Sequence, residues 1–374
     1  MELKNESQML RKKRIIGESF MASKKCYEID HDSYQRFDQE NDIFCRYLWD
    51  GSLNTFKNDF EKKMMENIEE NAKGYSHFEY AFSKASWAVY NRFPFAFSWD
   101  GDISFDEDWY GYKLREKKYE VKDLEEFTFR VKKVAKFYGA SLVGVTKIDD
   151  KWLYQSIGKR YNGEFKGSYP LNIPNEIKWA LVLAIKMNPV GLSTTPALPA
   201  CASTGLGYSK MAFLIACLGE FIRNLGYRAI QCGNDTALSI PLAIESGLGA
   251  LGRNGLLVTP EYGSNIRICK IFTDLPLSED KPKFHFISKL SNFCKECFKC
   301  AEACENKAIS FETETTFKGD TISNNAGIKK YYINPEKCFE FWAENSSDCS
   351  KCITACPFSK IKEDLPVENF WVKS

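Results

Sequence analysis

The stretch "CKECFKCAEAC", residues 294–304, is followed by "CFEFWAENSSDCSKCITACPF", residues 338–358, and together they decide how the last quarter of the chain folds. Cys294, Cys297, Cys300 and Cys304 follow C-x2-C-x2-C-x3-C, the run in which three thiolates surround one iron-sulfur cubane and the fourth reaches a neighbouring one. Cys338, Cys349, Cys352 and Cys356 repeat the tail C-x2-C-x3-C, with Pro357 after it and the first cysteine displaced by eleven residues. The two-cluster rule then gives one [4Fe-4S] cluster to Cys294, Cys297, Cys300 and Cys356, and a second to Cys338, Cys349, Cys352 and Cys304. Two structural zinc sites are the alternative, since four thiolates also suit zinc. Zinc motifs present separated C-x2-C pairs, however, and the triple followed by x3-C favours clusters. Glu305 stands where the first motif usually carries proline, which removes no ligand.

Outward from the cysteines, the 374 residues exceed one average domain. Apolar residues make up 44% and charged residues 27%, as in a globular protein rather than a disordered one. The formal charge of +1 provides no field to steer nucleic acid, so none is expected as a partner. Apolar runs such as "WALVLAI" are far shorter than the ~20 residues of a membrane span. The opening "MELKNESQMLRKKRIIGESFMASKK" has no adjacent arginine pair and no apolar export segment, which predicts a cytoplasmic chain. In that compartment thiols stay reduced. Cys26, Cys45, Cys201, Cys217, Cys232 and Cys269 then read as small hydrophobes.

The middle of the chain alternates between helical and extended patterns. "LEEFTFRVKKVAKFYG" reads as a helix capped by Gly139, "ASLVGVTKI" as a strand, and "KWALVLAIKM" as a strand buried on both faces. "YSKMAFLIACLGEFIRNLGY" places Met211, Leu214, Ile215, Leu218, Ile222 and Leu225 on one helix face. "YRAIQC", "GLLVTP" and "NIRICKIFT" read as short strands, giving an α/β (α+β) core. The segment "ESGLGALGRNGLLVTPEYGSN" holds Gly247, Gly249, Gly252, Gly255 and Gly263. Such density suits either a backbone cradle for a large cofactor or a turn-rich connection. It fits neither a dinucleotide nor a Walker motif. The expected organisation is an N-terminal unit over 1–124, a core over 125–285 and an iron-sulfur region over 286–374.

Several long motifs in order carry a resemblance. "YQRFDQENDIFCRYLWD", "TGLGYSKMA", "GYRAIQCGNDTALSIPLAIESGLGALGRNGLLVTPEYG", "NIRICKIFTDLPL" and the paired cysteine motifs are together similar to the corrinoid-dependent reductive dehalogenases. The resemblance implies a nitroreductase-like core binding a corrinoid (cobalamin), beside a ferredoxin-like region with two clusters. It implies that Tyr208, Arg267 and Asn234 are the catalytic set, with Tyr208 as proton donor, Arg267 as the cation favouring its phenolate, and Asn234 orienting the phenol or the halide. Thr204, Gly247, Gly249, Gly252, Arg253, Asn254, Gly255, Pro260 and Gly263 become the cofactor contacts. Without the resemblance, Tyr208 would read as a helix-start aromatic, Arg267 as an ion-paired strand residue and Asn234 as a turn former. Trp49, Trp99 and Trp342 are candidates for an aromatic pocket wall or, equally, for core packing.

The resemblance also implies cobalt without a histidine ligand, and the sequence agrees, since His31, His77 and His285 lie outside the D-x-H-x-x-G pattern of histidine-ligated corrinoids. The expected activity replaces a carbon-bound halogen of a small organohalide by hydrogen, with electrons from a ferredoxin or flavodoxin. Two alternatives remain at this point: an epoxyqueuosine-reductase-like corrinoid enzyme acting on tRNA, and an iron-sulfur electron-transfer protein without corrinoid.

Overall fold

The computed structural model describes residues 26–53, 55–92, 117–161, 164–361 and 371. In chain order its main elements are α1 (Thr55–Glu69), α2 (His77–Ser86), α3 (Ala88–Arg92), α4 (Leu124–Phe137), β1 (Leu142–Lys147), β2 (Ser156–Tyr161), β3 (Glu164–Pro170) and β4 (Trp179–Lys186). There follow α5 (Leu198–Asn224), β5 (Ala229–Cys232), α6 (Ser239–Glu245), β6 (Ala250–Leu251), β7 (Leu257–Val258), β8 (Ile266–Thr273), α7 (Phe284–Glu296) and α8 (Pro335–Asn345).

The central sheet runs β1-β4-β8-β5, and every neighbouring pair is antiparallel. Its strands read as apolar runs because both faces are covered. On β4, Leu181, Leu183 and Ile185 enter one core with α4 and α5, while Ala180, Val182 and Ala184 enter a second with α6. The pleat sends successive side chains to opposite faces. On β8 the same parity puts Cys269 and Ile271 in the first core and Ile266, Ile268 and Phe272 in the second. Arg267 therefore shares the α5 side of the sheet, and Lys270 the α6 side.

Local signals set the helix ends. Asp123 caps α4 by accepting from Glu125 N and Glu126 N, both at 3.0 Å. Gly139, at φ +104°, lets the chain leave that helix. Helix α5 begins ten residues before the amphipathic stretch read from sequence, with Pro199 in its first turn. Its C-terminal half packs Met211, Leu214, Ile215, Leu218 and Ile222 into the first core. Its N-terminal half is small: a Cβ on Gly205 would lie 2.5 Å from the Trp87 ring, so glycine there admits the end of α2. At 27 residues α5 is long and apolar enough to cross a bilayer, yet 56% of its apolar window is buried inside the protein, which accounts for its composition as a core helix.

The "YQRFDQENDIFCRYLWD" segment ties the chain together. The Tyr34 hydroxyl donates to the Lys151 carbonyl, and Arg36 Nε to the Leu153 carbonyl at 3.2 Å. Arg46 is 7% exposed and pairs with Asp50 and with Glu336 of α8, so this segment bridges core and cysteine region.

Candidate active site

Four residues named from sequence converge at one end of α5 and β8. Thr204 and Tyr208 are one turn apart on α5, and strand parity brings Arg267 up to them. Arg267 Nη2 donates to Thr204 Oγ1 at 3.2 Å, and its guanidinium carbon lies 5.2 Å from the Tyr208 ring centroid. From the loop after β5, Asn234 Nδ2 donates to the Tyr208 hydroxyl at 2.8 Å. Gly207 makes the approach possible, because a Cβ there would stand 3.1 Å from Arg267 Cγ and 3.3 Å from Met187 Cγ.

The aromatic wall of this site is built by residues that sequence reading passed over. Trp87 stacks on Tyr208 at 5.3 Å between centroids, and Tyr90 meets it edge-on at 5.2 Å. Both come from the α2–α3 junction, and the signal that could have found them is Gly205, which a tryptophan fills. Trp49 is placed elsewhere, donating to the Glu40 carbonyl beside Phe165, and Trp342 packs against Phe44 and Phe339. Trp99 lies outside the described residues.

Two side-chain atoms at this end of β8 are buried without a partner among the described residues: Arg267 Nε, a donor, and Asn265 Oδ1, an acceptor. An unmet donor and an unmet acceptor beside an exposed Asn234 suit a ligand rich in carboxamides, which both donate and accept. The donor set therefore fits a corrinoid, whose periphery has that character. His31, His77 and His285 are all exposed.

Behind the site, Lys270 is fully buried. Its Nζ donates to the carbonyls of Gly233 and Asp235 at 2.7 and 2.9 Å and to Ser239 Oγ at 3.1 Å. Burial pulls its pKa below the usual lysine value, opposed by Cys232, Asp235 and Cys269. These three bonds fix the loop that presents Asn234. Sequence reading missed Lys270 because a lysine inside an apolar strand reads as solvent-facing.

The glycine-rich segment turns out to be a seam against the cysteine region and its approach. A Cβ on Gly247 would lie 2.5 Å from the Lys281 carbonyl, one on Gly249 2.2 Å from the Val258 carbonyl, and one on Gly252 2.7 Å from Asn254 Oδ1. Gly255 abuts Ile333 and Gly263 abuts Phe358 and Ser359, with Pro260 in the turn between Thr259 and Gly263. Arg253 and Asn254, expected at the cofactor, are turned to that seam instead. Arg253 Nε and Nη2 donate to the Cys294 carbonyl, and Nη1 to those of Ser310 and Glu312. Asn254 Nδ2 donates to Ser264 Oγ at 3.2 Å and reaches the Cys352 carbonyl at 3.5 Å. The turn-rich connection, which sequence left open, is the reading these contacts support.

The eight clustered thiols fall into two electrostatic groups. Cys294 is acted on by Cys356 and Cys297, and Cys300 by Cys294, Cys356 and Cys297. Cys338 is coupled to Cys349 and Cys304, and Cys352 to Cys338, Cys349, Cys300 and Cys304. Burial, followed by these neighbours, pushes the pKa of Cys300 and Cys338 up to about 12, and burial with Asp348 and Cys304 pushes that of Cys349 up to about 11. Thiols held so high ionise only against a cation, which cluster iron supplies, so the donor set fits. No three His, Cys, Asp or Glu side chains among the described residues stand close enough to grip a single ion directly. Cys304 Sγ also accepts from Ala308 N at 3.2 Å. Cys352 packs beside Met187 and Leu192, which places the second group on the Arg267 side of the molecule.

Comparison with known proteins follows the same division. The 4Fe-4S dicluster domain family matches residues 293–360. A tetrachloroethene reductive dehalogenase of Sulfurospirillum multivorans is 33% identical over 321 residues, 78% of this chain and 62% of its own. One of Desulfitobacterium hafniense is 32% identical over 304 residues, 72% of this chain and 54% of its own. The chain thus spans a little over half the length of these curated relatives. The solved catabolic reductive dehalogenase NpRdhA superposes with a TM-score of 0.68 at 19% identity, covering 93% of this chain and 45% of its own, a likeness of fold.

Proposed function

With its membership of the reductive dehalogenase family as premise, we propose that this chain replaces a carbon-bound halogen of a small organohalide by hydrogen. The observation that carries the proposal is the Tyr208–Asn234–Arg267 contact set beside two groups of four thiols. The conversion consumes two electrons and one proton per carbon–halogen bond and releases halide. A corrinoid bound at the Arg267 end, without a histidine ligand, would supply the electrons to the substrate, fed by clusters on Cys294, Cys297, Cys300, Cys356 and on Cys304, Cys338, Cys349, Cys352.

The chain's own residues handle the proton and the charge. Asn234 donates to the Tyr208 oxygen, so the phenolic hydrogen is left free to point into the site. The Arg267 guanidinium stands over the Tyr208 ring, its carbon 5.2 Å from the centroid. Arg267 Nε, buried and with no acceptor among the described residues, is the donor proposed for the carboxamide periphery of the corrinoid. Trp87 stacks on the phenol and Tyr90 meets it edge-on, which holds the ring in place. An electron-transfer module would leave this whole constellation without a task. The electron donor proposed is a ferredoxin or flavodoxin, and the substrates proposed are chlorinated alkenes such as the tetrachloroethene of the relatives' names.

The test is anaerobic expression with cobalamin and cluster reconstitution, then metal analysis and halide release from tetrachloroethene with a low-potential donor. About one cobalt and about eight iron per chain with chloride release supports the proposal. Full iron without cobalt would favour the electron-transfer reading instead.

A further inference from the structure

The two cysteine motifs share the same C-x2-C-x3-C tail, so spacing gives the two clusters no order; the charges around them do. Arg253 is 1% exposed, and no carboxylate pairs with it among the described residues. Its Nε and Nη2 donate to the Cys294 carbonyl at 3.0 and 2.6 Å, and its Nη1 to the Ser310 and Glu312 carbonyls at 2.9 and 2.7 Å. Its faces are covered by Phe298 and Tyr331, whose ring centroids lie 4.5 and 4.0 Å from the guanidinium carbon. A cation buried among neutral dipoles is costly unless an anion stands beside it. Arg253 is among the charges felt by both Cys294 and Cys300, and a cubane on four thiolates is such an anion.

The second group has the opposite neighbour. Asp348 precedes Cys349 in sequence and acts on its thiol, and its carboxylate also faces the Cys201 thiol, with no cation paired to it among the described residues. Lys351 also acts on Cys349, but it is partly exposed and paired with Glu305.

We propose that Arg253 is the counter-cation of the cluster on Cys294, Cys297, Cys300 and Cys356, and that Asp348 is the anionic neighbour of the other, so that the first cluster is reduced at the higher potential. The inference rests on the two-cluster reading above. A nearby positive charge stabilises the added electron and a negative one opposes it, and net charge is one of the levers that sets cluster potentials. The cluster beside Cys352 and Met187, on the side of the active site, is then the stronger reductant of the two.

The experiment is a redox titration followed by electron paramagnetic resonance on the anaerobically reconstituted full chain, with iron measured on each sample. Two separate midpoints are expected. Arg253→Met lowers the higher one, Arg253→Lys restores it although it loses carbonyl bonds, and Asp348→Asn raises the lower one without moving the other. A Cys304→Ala background, which silences the second cluster, identifies which midpoint belongs to which. Should Arg253→Met fail to fold, Arg253→Lys and Asp348→Asn still decide. Iron far below about eight per chain sinks the two-cluster reading itself. Full iron with Asp348→Asn shifting neither midpoint, or both alike, overturns the charge assignment.

Discussion

Tyr208 is an ordinary helical tyrosine until its neighbours are counted: Asn234 on its oxygen, Arg267 over its ring, Trp87 stacked behind and Tyr90 at its edge. If it is the proton donor, Tyr208→Phe keeps the fold, cobalt and iron but lowers turnover by roughly 10²–10⁴-fold, the usual range for losing a general acid. Metal content and halide release on the same sample check this, and unchanged turnover would remove Tyr208 from the mechanism. The residue types of this set are all visible in the sequence. Their meeting was inferred from family resemblance alone, because 58 residues lie between Tyr208 and Arg267 and no periodicity links them.

At the scale of elements, strand parity and glycine contacts do the positioning. β8 presents Arg267 to α5 on one face and Lys270 to α6 on the other. Lys270→Met keeps the bulk but leaves the Gly233 and Asp235 carbonyls and Ser239 Oγ without their donor. Each buried polar group so orphaned costs roughly 1–3 kcal/mol, so a loss of several kcal/mol is expected in chemical denaturation, with the Asn234 loop loosened. Gly263 is a second such point. It sits at φ +58°, and a Cβ there would stand 2.3 Å from Ser359 N and 2.5 Å from the Phe358 carbonyl. Gly263→Ala should therefore cost more than about 1 kcal/mol and lower iron retention through the adjacent Cys356, read by denaturation midpoint and iron assay. The glycine density was plain in the sequence, but not whether a cofactor or the chain's own backbone fills the space; the structure shows backbone at Gly247, Gly249 and Gly263.

For the whole molecule, the crossing of the cysteine motifs is the feature to test. Cys304→Ala should disturb the cluster held by Cys338, Cys349 and Cys352 and spare the other, seen as loss of one of two paramagnetic signals and about half the iron; loss of the other signal would reverse the pairing. The sequence by itself determined where the eight thiols lie along the chain and the local geometry that aims them: short helical turns such as Lys299–Glu302 and Lys351–Thr354 fix the thiol directions within a few residues. It also determined the core strands and the long helix, whose apolar patterns are local too. Only the tertiary structure decided that Trp87 and Tyr90, rather than Trp49 or Trp342, wall the site, and that Arg253 serves the cysteine region. Those assignments depend on which distant segments pack together. A buried guanidinium goes wherever the fold offers it carbonyls and a countercharge, and no spacing along the chain encodes that.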